Sequence, residues 1–312
     1  MNKKHIEYFY DYFDGIAMML YKKHKKAYIE SMIEAFNFLM DDAFQESYDQ
    51  NIFEDAVELK NHIQDIDFKP EEIRKAVQLG ILKGYKHERL NNALMTPDTI
   101  GIFISYLIQK LYGDEIINTI IDPVIGTGNL VYTIVNQLNN DLEVFGVDHD
   151  FVRCNLARNF GDLMQIKNQV FYQDTLKYFD QGFDFCVMDL PINQDSSLYV
   201  PYQIILHHLD SIKPGKFMIT LIENDFFEQK DNDIFKQEVN KKANIYGLIK
   251  LSESLFKSNP KSILILQKKG ANVEKIEKFL LVDLPSFSEE TAFASTIKQI
   301  DQWFETRKGH VK

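Results

Sequence analysis

Apolar side chains recur at helical spacing through the first part of the chain. Ile6, Phe9, Tyr10, Phe13, Ile16, Ala17 and Leu20 mark one amphipathic face. Ile33, Phe36, Leu39, Met40, Ala43 and Phe44 mark a second, with Ser31 placed to cap it. Phe53, Ala56 and Val57 make a third, and Pro70 with Glu71 and Glu72 opens a fourth carrying Ile73, Ala76, Val77 and Ile81. The aromatic stripe of Phe9, Phe13, Phe36, Phe44 and Phe53 lies on these apolar faces. It therefore reads as the core of a small bundle rather than as a base-stacking surface. The pattern predicts an all-helical domain over residues 1–90, free to cover a neighbouring domain, hold a substrate or make a homodimer contact.

From Asn91 onward, short β-rich runs alternate with helical spacing. Thr96-Pro97-Asp98 starts a helix bearing Ile100, Phe103, Ile104, Leu107, Ile108 and Leu111. Strands are expected to end at Asp122 and Asp148, then to cover Val170–Tyr172, Phe183–Met188, Lys216–Ile222, Ile245–Leu251 and Ser262–Gln267. Helices fall between them, including Phe151–Met164 and Tyr202–Ile212, and the last two strands read as an antiparallel hairpin. Residues 270–312 are polar apart from one amphipathic helix with Phe293, Ile297, Ile300, Trp303 and Phe304. Such alternation predicts a Rossmann-like α/β domain over residues 91–312, with a seven-stranded, mostly parallel sheet whose last strand is antiparallel.

Charge and composition narrow the function. The net charge of −11 argues against tight autonomous binding to duplex nucleic acid, where counterion release from a basic face supplies most non-specific affinity. The run Lys22-Lys23-His24-Lys25-Lys26 and the later Lys257, Lys261, Lys268 and Lys269 read more simply as solvated element ends than as a phosphate track. No apolar run is long enough to span a membrane and the N-terminus has no signal-peptide core, so no membrane partner and a cytoplasmic location are expected. Cys154 and Cys186 fall in an expected helix and an expected buried strand. The histidines form no ligand-spaced cluster, His207-His208 reading as a helix-surface pair, so no metal site is expected.

The candidate chemistry centres on Ile116–Asp150. Gly126-Thr127-Gly128 lies just beyond the carboxyl end of the first strand, where open α/β sheets bind ligands. The two glycines let backbone amides approach a ligand closely. Asp148, 20 positions after Gly128, is placed to accept hydrogen bonds from a ribose diol. Val131 stands where a dinucleotide fingerprint needs its third glycine, and no Tyr-x-x-x-Lys or histidine base supports a nicotinamide dehydrogenase. Asp122 would repel a pyrophosphate but receive an ammonium. A ligand carrying an ammonium, a carboxylate and a ribose fits, and S-adenosyl-L-methionine has all three.

In these segments the chain resembles the class I S-adenosylmethionine-dependent methyltransferases, and within them the adenine-N6 DNA methylase-like branch. Carrying the resemblance are Thr96-Pro97, Asp122-Pro123-Val124-Ile125-Gly126-Thr127-Gly128, Gly146-Val147-Asp148, Gln173-Asp174 and Asp189-Leu190-Pro191-Ile192, in order over residues 90–270. The resemblance implies that Thr96 lies beside the methionine end of the cofactor and that Asp122, Pro123, Gly126, Thr127 and Gly128 form its cradle. Asp148 would take the ribose, His149 pack on the adenine, and Asp174 accept the adenine amine, although Asp174 would equally cap a helix over Leu176–Phe179. Asp189, with the Pro191 turn, would orient a target amine of nucleic acid, DNA first. Leu190 and Ile192 depart from the branch's Asp-Pro-Pro-aromatic turn, leaving the stacking platform to Tyr199 or Tyr202. Ser252-Glu253-Ser254-Leu255-Phe256 resembles the branch's Leu-Pro-x-x-Leu-Phe loop, with Ser252 for proline. Two functions remain open: N6-adenine methylation, or cofactor binding without turnover, as a sensor or partner subunit.

Overall fold

A computed structural model describes residues 1–41, 50–91, 95–138, 141–192, 199–256 and 259–308. Four helices come first: α1 (Lys3–His24), α2 (Tyr28–Asp41), α3 (Gln50–Asn61) and α4 (Pro70–Glu88). The Asn2 side chain accepts the Lys4 amide at 3.0 Å to start α1, and Lys22, Lys23 and His24 sit at its negative end. Pro70 pre-sets the first turn of α4, where the Glu72 carboxylate accepts the Lys69 amide. Phe9, Phe13 and Phe36 are buried and Phe53 is half exposed at the margin, while Phe44 lies outside the described residues. Ser31 is no cap: it sits inside α2, its hydroxyl donating to the Ala27 carbonyl at 2.8 Å.

Then follow α5 (Asp98–Tyr112), β1 (Thr119–Asp122), α6 (Asn129–Leu138), β2 (Glu143–Asp148), α7 (Phe151–Leu163), β3 (Asn168–Tyr172), β4 (Phe183–Asp189), α8 (Val200–His208) and β5 (Ile212–Glu223). The chain closes with α9 (Asn232–Lys242), β6 (Ala243–Lys250), β7 (Lys261–Lys268), β8 (Leu280–Asp283) and α10 (Glu290–Lys308). The sheet order is β3-β2-β1-β4-β5-β7-β6-β8. Among the described residues only β7 runs against its neighbours, pairing antiparallel with both β5 and β6. The expected methyltransferase-like sheet is present with one strand more than the seven expected: β8 adds in parallel to β6.

The sheet separates two apolar layers. On one side, Ile121, Met218 and Leu264 pack with Ile205 of α8 and Phe235 and Val239 of α9. On the other, α5, α6, α7 and α10 cover the sheet, and the N-terminal helices join the same buried cluster through Ala76, Val77 and Ile81 of α4. The histidine pair is not a surface pair. His208 is fully buried between Thr175 and Ser211, and burial with its neighbour His207 pushes its imidazole down to about 3, so it is neutral near pH 7. Both cysteines are buried and free. Among the described residues no helix is long and apolar enough to cross a membrane.

Candidate active site

β1, β2 and β4 lie side by side, and each ends on an aspartate: Asp122, Asp148 and Asp189. β1 hands the chain to β2 on one side and neighbours β4 on the other, so the three carboxylates ring the point where strand order reverses. A cleft of about 1060 Å³ opens there. Thr96, Asp122, Pro123, Gly126, Thr127, Asp148, His149, Asp174, Asp189 and Pro191 all line it. Gly128 does not. Its φ of +82° turns the chain into α6, and a Cβ there would stand 2.5 Å from the buried Tyr132 ring. Gly128→Ala is therefore expected to destabilise the protein by about 2–3 kcal/mol through overpacking and left-handed strain. Chemical denaturation checks this, and an unchanged midpoint would refute it.

The three carboxylates are treated differently. Asp148 Oδ1 accepts the Asp150 amide at 2.8 Å and the Arg153 guanidinium at 2.9 Å, while Oδ2 accepts the Gly126 amide at 3.1 Å. Arg153 is placed by α7, whose N-cap Asp150 accepts the Arg153 amide at 2.9 Å. A ribose at Asp148 must share that carboxylate with Arg153. Asp189 Oδ2 accepts the Thr96 hydroxyl at 2.7 Å, and Oδ1 is held by the ammonium of Lys261, the buried first residue of β7. Asp122 is 1% exposed and has no cationic partner among the described residues; the Val124 amide donates to it at 3.1 Å. Burial, reinforced by the charges of Asp189 and Asp148, raises its carboxyl well above the usual carboxylate range.

Beneath the cleft a buried guanidinium ties the parts together. Arg74 of α4 forks onto Glu71 at 2.7 Å through both Nε and Nη2, onto both oxygens of Asp98 at 3.0 Å, and onto Asn129 Oδ1 at 3.1 Å. The Asn129 amide in turn donates to the Thr96 carbonyl at 2.9 Å and to Asp98 at 3.1 Å. The path thus runs from the N-terminal helices to the first residue of α6 and to the threonine that bonds Asp189. Burial alone would push the Asp98 carboxyl up. Hydrogen bonds and charge from Arg74, with Lys75 and Asn129, overcome it and hold Asp98 well below the usual range.

Several expected positions look different in place. Thr96 does not cap α5, whose N-cap residue is Pro97; its hydroxyl goes to Asp189 instead. Asp174 Oδ1 accepts the Leu176 amide at 3.0 Å, as the capping alternative requires, but heads a turn rather than a helix, and its half-exposed carboxylate still borders the cleft. His149 projects to solvent at the rim. Leu190 is buried, and its amide donates to the Leu221 carbonyl at 3.2 Å, a ladder bond that a proline here could not make. Ile192 is half exposed, while Tyr199 and Tyr202 are buried against Phe226 and Phe235 and provide no platform. Phe256 does face this region, its ring centroid 5.6 Å from the Lys261 ammonium. Arg74, Asn129, Arg153 and Lys261 were not singled out for this site by sequence. Arg153 alone carried a local signal, an arginine one helical turn after the strand-ending acid.

Parallel strands ending in cleft-facing carboxylates around a glycine turn, closed by an antiparallel β7, define a class I methyltransferase fold. A structure assigned to the class I S-adenosylmethionine-dependent methyltransferases, from Listeria monocytogenes, matches with a TM-score of 0.86 at 28% identity, over 97% of this chain and 100% of that one. The modification methyltransferase subunit of a Streptococcus thermophilus type I restriction system shares the fold, with a TM-score of 0.63 at 14% identity over 95% of this chain and 74% of that one. The family model for N-6 DNA methylases matches residues 81–311, and the chain belongs to that family. A second model, the YtxK N-terminal helical domain, matches residues 7–85. The uncharacterised Bacillus subtilis protein YtxK is 33% identical over 99% of this chain and all of its own length.

Proposed function

We propose that the protein binds S-adenosyl-L-methionine in this cleft and transfers its methyl group to the N6 amine of adenine in nucleic acid, DNA in the first instance. The observation that carries the reading is Asp122: a carboxylate raised by burial and then by its like-charged neighbours, with no cationic partner among the described residues, at the mouth of a glycine turn. A ligand bearing both an ammonium and a sulfonium relieves that imbalance, and a dinucleotide would worsen it. Asp148, Asp174 and Thr96 all line the cleft; in this reading Asp148 and Asp174 would meet the ribose and adenine, and Thr96 the methionine end. When bound, the cofactor supplies a methyl group already activated on a sulfonium sulfur.

What the chain must add is mainly orientation. The lone pair of an exocyclic adenine amine is delocalised into the ring. Asp189 would accept one of its N–H bonds and draw the nitrogen toward a tetrahedral geometry, freeing the lone pair for attack. Thr96 fixes the carboxylate for this task. Phe256 offers an aromatic face to a base swung out of its stack, in the role that Ile192 cannot fill.

The test is transfer of a tritiated methyl group to DNA, RNA and protein pools. Label in DNA, lost by about two orders of magnitude or more in Asp189→Ala, is the expected result. Full transfer by Asp189→Ala would remove the carboxylate from the mechanism. The alternative, a cofactor-binding sensor or partner subunit, is favoured by one observation: Asp189 is already paired with Lys261. Cofactor binding with no label in any pool would select it.

A further inference from the structure

The Lys261–Asp189 pair has no counterpart in the expectations drawn from the family's turn. Lys261 stands opposite Glu223 in the β5–β7 register, so the sheet delivers its side chain to the carboxyl end of β4, 72 residues away in sequence. Its side chain is 9% exposed and that of Asp189 17%. The ammonium touches Asp189 on one side and lies over the Phe256 ring on the other. It thus fills the space between an N–H acceptor and an aromatic face, the two groups a target aminoheterocycle would use. The other acid acting on it is Glu223, whose carboxyl is raised by burial and by Asp225 and lowered by Lys261, while Asp122 lines the same cleft without pairing with it.

Resting on the function proposed above, we propose that Lys261 is the specificity-determining group of the acceptor subsite: it occupies the amine position until a phosphate of the substrate strand draws its ammonium off Asp189. A neutral amine is a weaker partner for a buried carboxylate than an ammonium is. Removing the lysine without giving it another anion would leave both charges unpaired. A phosphodiester next to the target base supplies that anion, so a nucleotide strand enters where the free nucleoside is excluded. The overall negative charge is consistent with this division of labour: general attraction to polyanions is weak, and one internal cation does the selecting.

The experiment measures binding of 2′-deoxyadenosine and of a short oligodeoxyadenylate by calorimetry, with and without saturating S-adenosylhomocysteine. Parent, Lys261→Met, Lys261→Gln, Lys261→Arg and the Lys261→Met/Asp189→Ala double variant are compared. The parent is expected to prefer the oligonucleotide about tenfold or more. In Lys261→Met the nucleoside should bind about tenfold tighter than in the parent, with a smaller gain in Lys261→Gln and none in Lys261→Arg. The gain must vanish in the double variant, which places the added binding at Asp189 rather than in the cofactor's own adenosine site. Equal or weaker nucleoside binding in both Lys261→Met and Lys261→Gln would overturn the proposal, as would a parent that binds nucleoside and oligonucleotide alike. Cofactor binding by the parent is read separately: its absence defeats the proposed function, while the nucleoside series still decides the role of Lys261.

Discussion

Arg74→Met is expected to destabilise the protein by about 3–5 kcal/mol, the loss that follows when one partner of a buried ionic network is removed. The guanidinium is fully buried and satisfies Glu71, Asp98 and Asn129 together, so its removal takes the Arg74 ion pair from Glu71 and leaves Asp98 to Lys75 as its cation. A fall in Tm on the order of 10 °C should follow. Cofactor affinity should fall with it, because Asn129 and Thr96 lose the anchor that sets them beside Gly128 and Asp189. Asp98 gives the pH signature. Its folded pKa is depressed, so its contribution is complete above the unfolded value of about 4 and drains away as pH falls through the folded one. The parent should lose that stability in acid, and Arg74→Met should lose much less because little is left. A combined Glu71→Gln, Arg74→Met and Asp98→Asn variant, neutral at those three positions with the part-exposed Lys75 left to solvent, should recover a large part of the deficit. If the single variant melts within about a degree of the parent, the network is not holding the two regions together.

The second large effect is expected at Asp122. Asp122→Asn keeps the shape and the Val124 contact but removes the charge, and cofactor affinity should drop by about ten- to a hundredfold, roughly 1.5–3 kcal/mol. The apo carboxyl is raised by burial and by Asp189 and Asp148, so below its pKa a proton must leave before a cation can enter. Affinity of the parent should therefore weaken by about tenfold per pH unit in that range and level off above it, and Asp122→Asn should be flat. Stability runs the other way. A raised carboxyl stabilises the fold below its unfolded pKa of about 4 and loses that contribution as pH rises through the folded value. The cofactor-free Asn variant should accordingly melt higher than the parent at about pH 8. Calorimetry across pH and paired thermal melts check both halves, and a parent whose cofactor affinity ignores pH would contradict the assignment.

Much of the fold was written locally. Asp122, Asp148 and Asp189 each close a β-rich run, and a strand's end is visible wherever an apolar run stops on an acid. Parallel neighbours then bring such ends together without further information. What escaped depends on sheet order or on burial that spacing cannot show. Lys261 reaches Asp189 only because β7 inserts antiparallel between β5 and β6. Arg74 reads as one charge on an amphipathic helix, yet it is buried because α4 packs against both α1 and α6. β8 is a four-residue strand with one buried side chain, its apolar run Phe279-Leu280-Leu281-Val282 too short to show a period, and α9 buries only Phe235 and Val239, too little for a periodic signal. Tyr199 and Tyr202 had the right type and place for a base platform, but their neighbours Phe226 and Phe235 compete for the same faces.

The seam between the two matched regions falls inside α4, since one match ends at residue 85 and the other begins at residue 81. That helix carries Arg74 toward the cleft and Ala76, Val77 and Ile81 into the common apolar cluster. Recombination between relatives would thus have to move α4 as a piece of the methylase-family half. A chimera spliced upstream of Pro70 retains the anchor, whereas one spliced after Glu88 inherits a foreign keystone.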